Sequence, residues 1–193
     1  MITEIMYDPR SKETAPTRVE WVEVYNSGVS GVNLRGWRLA DEDGQTHPVA
    51  SDCILPSKQA AVFIPGHRPV REFRDAWECD APVLALGYCG PDHGLQNLSN
   101  NPSPTNEILR LLDASGAVVD EVNFCRTKPW PSVGRGGPSI FLLPDHLNTD
   151  SNDAGESWQR SKVGEQGAYA CGGEHEFSEQ DFGSPGAVPA LGD

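Results

Sequence analysis

What most constrains this chain is the recurrence of short runs rich in Val, Ile, Leu, Tyr and Trp, each closed by Gly, Pro, Asn or Asp. Strands of about four to eight residues between turn formers give this pattern, whereas a helix needs a longer run of apolar residues three and four apart. The runs predict strands at Ile2–Tyr7, Val19–Asn26, Trp37–Ala40, Ala60–Ile64, Val83–Gly87, Ile108–Leu112, Val118–Phe124 and Ser139–Leu143. In the second of these, Val22 and Val24 fall on one face and Trp21, Glu23 and Tyr25 on the other, because side chains alternate across a pleat. Both faces of that strand therefore carry bulk. Ile108–Leu112 and Val118–Phe124 flank Asp113-Ala114-Ser115-Gly116, where Gly116 can take positive φ and close a hairpin.

One stretch breaks the strand pattern. Pro69 suits a first helical turn, and Val70, Phe73, Ala76 and Trp77 recur at helical spacing, which predicts one short inserted helix covering an open end of the fold. Segments 97–106 and 164–183 are rich in Gly, Asn, Ser, Pro and Glu and read as long loops. With no internal repeat and no linker between two cores, the pattern predicts an all-β, two-sheet sandwich. It is expected to be one domain over residues 1–193, its core spanning about 1–163 and a loop-rich 164–193 segment closing on the sandwich.

Composition narrows the partners. Asp and Glu number 28 against 15 Lys and Arg, a net charge of −13, so the average surface repels a phosphate backbone. The most basic segment, Arg68 to Arg74, is interrupted by Glu72 and followed by Asp75, Glu78 and Asp80, so no nucleic acid partner is expected. Apolar runs fall well short of the roughly 20 residues that span a bilayer, so no membrane insertion is expected either. The cysteines, Cys53, Cys79, Cys89, Cys125 and Cys171, form no C-x-x-C pair, which argues against a zinc ribbon or a redox motif. An exported chain could form up to two bridges, with Cys79 to Cys89 the most local choice, and a cytosolic one would keep all five thiols reduced.

Two residue sets are candidate sites. Glu4, Glu20 and Glu23 lie in or at the start of strands, where a carboxylate beside an apolar sheet needs water or a partner. Arg38 and Arg110, on neighbouring strands, are placed to bridge them, and this pairing is preferred to a catalytic carboxylate pair. The loop holding Asp145, Asn148, Asp150, Asn152, Asp153 and Glu156 gathers oxygen ligands suited to Ca2+. It is not an EF-hand, because Asp153 stands where that loop needs Gly and Gln159 where it needs Glu, and Asx-turns that stiffen a loop are the competing reading. His47, His67, His93, His146 and His175 are spread singly, and no G-x-S-x-G elbow or phosphate loop is present, so the chain carries no recognisable catalytic constellation. Trp130, between Pro129 and Pro131, is expected to pack over a sheet edge rather than face outward.

The ordered blocks Ile2-Thr3-Glu4-Ile5-Met6-Tyr7-Asp8-Pro9, Glu20-Trp21-Val22-Glu23-Val24-Tyr25-Asn26-Ser27-Gly28 and Val32-Asn33-Leu34-Arg35-Gly36-Trp37-Arg38-Leu39-Ala40-Asp41 resemble the lamin tail domain family. The likeness continues through Leu98-Ser99-Asn100, Val118-Val119-Asp120-Glu121-Val122, Trp130-Pro131, Ser139-Ile140-Phe141-Leu142, Asn152-Asp153 with Trp158, and Ser184-Pro185-Gly186. The resemblance implies an immunoglobulin-like β-sandwich in which Glu4, Glu20, Trp21, Glu23, Tyr25, Asn26, Gly36, Trp37, Arg38 and Arg110 are structural. It also implies a prokaryotic-type, non-catalytic interaction module of a larger exported or cell-surface protein, binding a protein or surface glycan through loops or a sheet edge. A heptad rod, a basic import run and a prenylation box are missing from the sequence, so a nuclear lamina role is not implied. The alternatives are a Ca2+-dependent carbohydrate- or surface-binding module, or a targeting appendage of a hydrolase. No cofactor is required by the pattern beyond that possible Ca2+.

Overall fold

In the computed structural model the described residues are all except 11–19, 43, 67, 87, 90–97, 100, 106, 135, 172–180 and 189–193. The strands in chain order are β1 (Ile2–Met6), β2 (Trp21–Tyr25), β3 (Val32–Asn33), β4 (Arg38–Ala40), β5 (Gln45–Thr46), β6 (Ile54–Leu55), β7 (Ala60–Pro65) and β8 (Val83–Leu86). They continue with β9 (Tyr88–Cys89), β10 (Ile108–Leu112), β11 (Val118–Asn123), β12 (Ile140–Leu142), β13 (Trp158–Arg160), β14 (Tyr169–Ala170) and β15 (Phe182–Gly183). The helix α1 (Val70–Ala76) lies between β7 and β8.

Two sheets dominate. One runs β13-β12-β1-β2-β7-β8, antiparallel except for the parallel pair β7 and β8, and the other runs β11-β10-β4-β5-β9. Between them sits the main core, to which the first sheet gives Ile2, Ile5, Val22, Val24 and Phe63 and the second gives Leu39, Leu109, Leu111 and Val122. The β10–β11 hairpin forms as its sequence predicts. Gly116 has φ +86°, and Asp113 Oδ1 accepts the Ser115 and Ala117 N–H groups at 2.8 and 3.0 Å. The eight predicted runs all carry strand, while β3, β5, β6, β9 and β13 to β15 are two- or three-residue pairings that alternation cannot reveal. Segment 164–183 is thus not all loop, because Tyr169 pairs with Gly183 and Ala170 with Phe182.

The helix corrects a second expectation. It does not close an end of the sandwich but lies on the outer face of the first sheet, where Phe73, Ala76 and Trp77 pack with Met6, Trp21, Val62 and Ile64 in a second apolar cluster. The reason is legible in β2: Trp21 points away from the main core, and so large an apolar side chain requires cover. Trp77 meets Trp21 edge-on at 5.6 Å between ring centroids. Pro69, extended at φ −74°, starts the helix, and its carbonyl accepts the Phe73 N–H at 3.1 Å.

Candidate functional site, a buried carboxylate cradle

Strict alternation along β1 would turn Glu4 to the same face as Ile2, into the main core. A β-bulge prevents this: the register shifts between Ile2, opposite Val24, and Glu4, opposite Glu23. Glu4 and Glu23 consequently lie side by side on the outer face of the first sheet, 1% and 1% exposed. Thr3, beside the bulge, donates its hydroxyl to Glu23 Oε1 at 2.6 Å.

The donors to this pair come from far along the chain. Ser139 Oγ donates to Glu4 Oε1 at 2.5 Å, Ser161 Oγ to the same oxygen at 3.4 Å, and Ser184 N–H at 2.9 Å. Ser184 Oγ donates to Glu4 Oε2 at 2.8 Å, and Gly186 N–H to Glu23 Oε2 at 2.7 Å. The segment from Phe182 to Gly186 therefore lies as a strap across both carboxylates. It is carried there by β15, whose Phe182 forms a parallel bridge with Pro138. Gly183 admits no side chain at this closure, since a Cβ would stand 2.8 Å from Trp21 and 3.0 Å from Glu4 Oε1.

Burial pushes both carboxyl groups upward, and hydrogen bonding distinguishes them. Glu4, with its serine donors and a backbone N–H, is the better stabilised anion. Glu23 has fewer donors and the Glu4 charge beside it, and it is raised to about 8, desolvation being the larger cause. One proton shared between two crowded carboxyl groups is the state this arrangement favours at neutral pH.

The expected arginine bridges do not form. Arg110 donates to Glu121 on the neighbouring strand at 2.6 Å, and Arg38 stands on β4 opposite Leu112, both in the second sheet. Glu4 and Glu23 face away from that sheet and are satisfied by hydroxyls and amides, which fit a closed space better than a guanidinium. Glu20 is likewise internal, and its Oε2 accepts the Leu98 N–H at 2.9 Å. Among the remaining structural residues, Asn26 organises its turn by donating to the Ser30 and Leu55 carbonyls at 2.8 and 3.0 Å. Gly36, at φ +83°, lets the β3–β4 turn approach Ala114, whose Cβ would lie 2.8 Å from an added Cβ. Trp37 and Tyr25 are half-buried against the main core.

The acidic loop is drawn into the fold at one point. Asn152 is fully buried, and its Nδ2 donates to Asp120 Oδ2 at 2.8 Å while its carbonyl accepts the Trp158 indole N–H at 2.7 Å. Asp120 Oδ2 also accepts the Ile2 N–H at 2.5 Å, so it joins the two sheets and the loop at one oxygen. Burial raises the Asp120 carboxyl. Asn148 Oδ1 accepts the Asp150 and Ser151 N–H groups at 3.2 and 2.9 Å, an Asx-turn. Asp145, Asp150, Asp153 and Glu156 are exposed, and among the described residues no group of three His, Cys, Asp or Glu could hold a metal ion. The Asp120 junction escaped sequence reading because an Asp in an alternating strand looks solvent-facing; only its parity with buried Val122 hinted otherwise.

Trp130 packs over the sheet edge as expected, 5.9 Å from Trp158 and against Gly155. Cys53, Cys79 and Cys125 carry free thiols, so the Cys79–Cys89 bridge is not formed; burial pushes Cys79 up to about 11, away from a reactive thiolate. No helix among the described residues is long and apolar enough to cross a membrane.

Comparison with known proteins agrees with this architecture. No curated protein and no solved structure matches the chain. The family model described as Lamin Tail Domain matches residues 1–125, a stretch that holds both sheets' central strands, the bulge, Glu4, Glu23 and the covering helix. Matched over more than half its length, with the immunoglobulin-like sandwich that the family implies, the chain belongs to the lamin tail domain family.

Proposed function

We propose that this chain is a non-catalytic interaction module of a larger exported or surface-associated protein, and that it binds a protein strand along β11. The observation that supports this is the terminal position of β11 in its sheet together with the exposure of Val118 and Val119, 56% and 38%. A terminal strand presents unpaired backbone groups, and added strands pair with such edges. Three buried carboxylates support the non-catalytic part. Glu4, Glu20 and Glu23 accept hydrogen bonds from within the chain, and the groove beside α1, lined by Arg71, Arg74, Asp75 and Glu78, does not contain them.

The test uses the chain fused to a fluorescent protein, titrated onto whole cells and isolated envelopes of its source. Saturable binding is expected, weakened at least tenfold in a Val118→Lys, Val119→Lys variant whose melting temperature matches the parent. Absence of saturable binding, or equal binding by the variant, would overturn the β11 reading. Turnover of any substrate that is lost on Glu4→Gln or Glu23→Gln would overturn the non-catalytic one.

A further inference from the structure

We infer that the strap Phe182–Gly186 is a pH-sensitive latch, closed while the Glu4–Glu23 pair holds one proton and released when both carboxyl groups ionise. The geometry carries this. The two glutamates are directly opposed in register on adjacent strands, a position in which Cβ atoms lie about 5 Å apart. Like charges so placed, out of water, repel strongly.

Relief must come from whichever neighbour moves most easily. Strands β1 and β2 are central in a six-stranded sheet and cannot separate without dismantling the main core. The strap is held by less: the two-residue pairing of β14 with β15, the bridge at Pro138, and hydrogen bonds that end on the carboxylates themselves. Lifting it admits water to both charges while leaving the sandwich intact. Its donors, Ser184 N–H, Ser184 Oγ–H and Gly186 N–H, would then be satisfied by solvent.

The direction of the switch follows from Glu23. Its carboxyl is raised to about 8 by burial and by the neighbouring Glu4, so the latch is closed in mild acid and opens in mild base. Among the described residues, the other titratable groups facing the pair are the Cys79 thiol, from the turn after α1, and the Tyr169 phenol, from β14. Burial raises both, so each stays neutral while Glu23 titrates and neither supplies a compensating cation. Opening would uncover an acidic floor formed by Glu4, Glu23 and Thr3, rimmed by Trp21. It would also uncover Cys79, whose Sγ lies where Gly186 approaches, 3.1 Å from the site of an added Cβ.

The experiment is amide hydrogen exchange of the full chain, resolved by residue and corrected for the intrinsic pH dependence of exchange. Protection of Ser184 and Gly186 is expected to fall at least tenfold between pH 6 and pH 9 (about two units below and one above the Glu23 midpoint), while Val22 and Val62 stay protected. In Glu23→Gln, which keeps an acceptor for Gly186 and lets the Thr3 hydroxyl reverse, strap protection should not vary with pH. Unchanged strap protection in the parent, or an equal fall in Glu23→Gln, would overturn the latch. If that variant does not fold, the parent still decides the matter: loss of protection spread evenly over β1, β2 and the strap would mean global unfolding and would sink the proposal.

Discussion

If α1 is the cover that the outer face of the first sheet requires, truncating Trp77 should damage the whole domain. Trp77 is 1% exposed and its ring meets Trp21 at 5.6 Å, Phe73 at 6.1 Å and Tyr169 at 6.0 Å. A buried indole removes about 200 Å² from water, which at about 25 cal/mol per Å² is about 5 kcal/mol of transfer free energy. Partial collapse of the space left behind sets the expected cost of Trp77→Ala at about 3–5 kcal/mol. For a domain of this size that corresponds to a melting temperature lowered by roughly 6–20 °C. The assay is urea unfolding followed by far-UV circular dichroism and by tryptophan emission, since Trp21 would report loss of its cover through a red shift. Arg71→Ala is the control. Its ion pair with Asp75, 3.6 Å long, joins side chains that are 92% and 71% exposed, so the change should stay within about 0.5 kcal/mol. A Trp77→Ala cost below about 1 kcal/mol, with Trp21 emission unshifted, would refute the reasoning and make the helix an appendage.

Three further outcomes are expected. Glu4→Ala strips the acceptor from Ser139, Ser161 and Ser184 and should cost about 3 kcal/mol in urea unfolding, whereas Glu4→Gln, which the rotatable serine hydroxyls can accommodate, should cost less than half of that. Gly116→Ala and Gly136→Ala both place a side chain at positive φ, +86° and +89°. The first meets open space and should cost about 1 kcal/mol, while the second drives a Cβ to 2.7 Å from the Asp8 carbonyl and should cost at least twice as much by thermal unfolding; equal costs would show that the contact yields. Millimolar Ca2+ added after EDTA should leave the melting temperature unchanged, because Asn148 and Asn152 are committed to the loop backbone and to Asp120. A Ca2+-specific rise lost in Asp150→Ala, Asp153→Ala would show instead that the loop binds metal.

The sequence made the strands legible because alternation is a local signal. Val22 and Val24 against Trp21 and Glu23 can be sorted without knowing what lies on either side of β2. The blocks that resemble the lamin tail family are of the same kind, and the family match covers those from Ile2 to Val122, while Trp130-Pro131 and the later ones lie beyond it. What could not be read was whatever depends on distant partners. The donors to Glu4 are separated from it by 135, 157 and 180 positions, so nothing near Glu4 in sequence distinguishes a serine-lined cradle from an arginine bridge. The bulge is equally hidden, since Ile2-Thr3-Glu4-Ile5 reads as ordinary alternation until the register with β2 is seen to slip. The helix is legible in its apolar stripe, and only its place is hidden, because a stripe does not say which surface it covers.

These features have one cause. A sandwich usually buries one face of each sheet and leaves the other to water, which gives strands that alternate between apolar and polar residues. Here Met6, Trp21, Val62 and Ile64 make the outer face of the first sheet apolar as well, so that face must be covered. The cover comes in two pieces, α1 over the Trp21 end and the strap over the Glu4–Glu23 end. Carboxylates under the strap give it a fixed seat that an all-apolar face would lack, because Ser184 and Gly186 must meet particular oxygens and a slipped strap would leave them unpaired. Buried polar groups are a costly way to hold two surfaces together, and what they add is position. The family match ends at residue 125, and the cradle's donors at Ser139, Ser161, Ser184 and Gly186 all lie beyond it. The part of the molecule outside the match therefore completes the sheet face that the matched part leaves exposed.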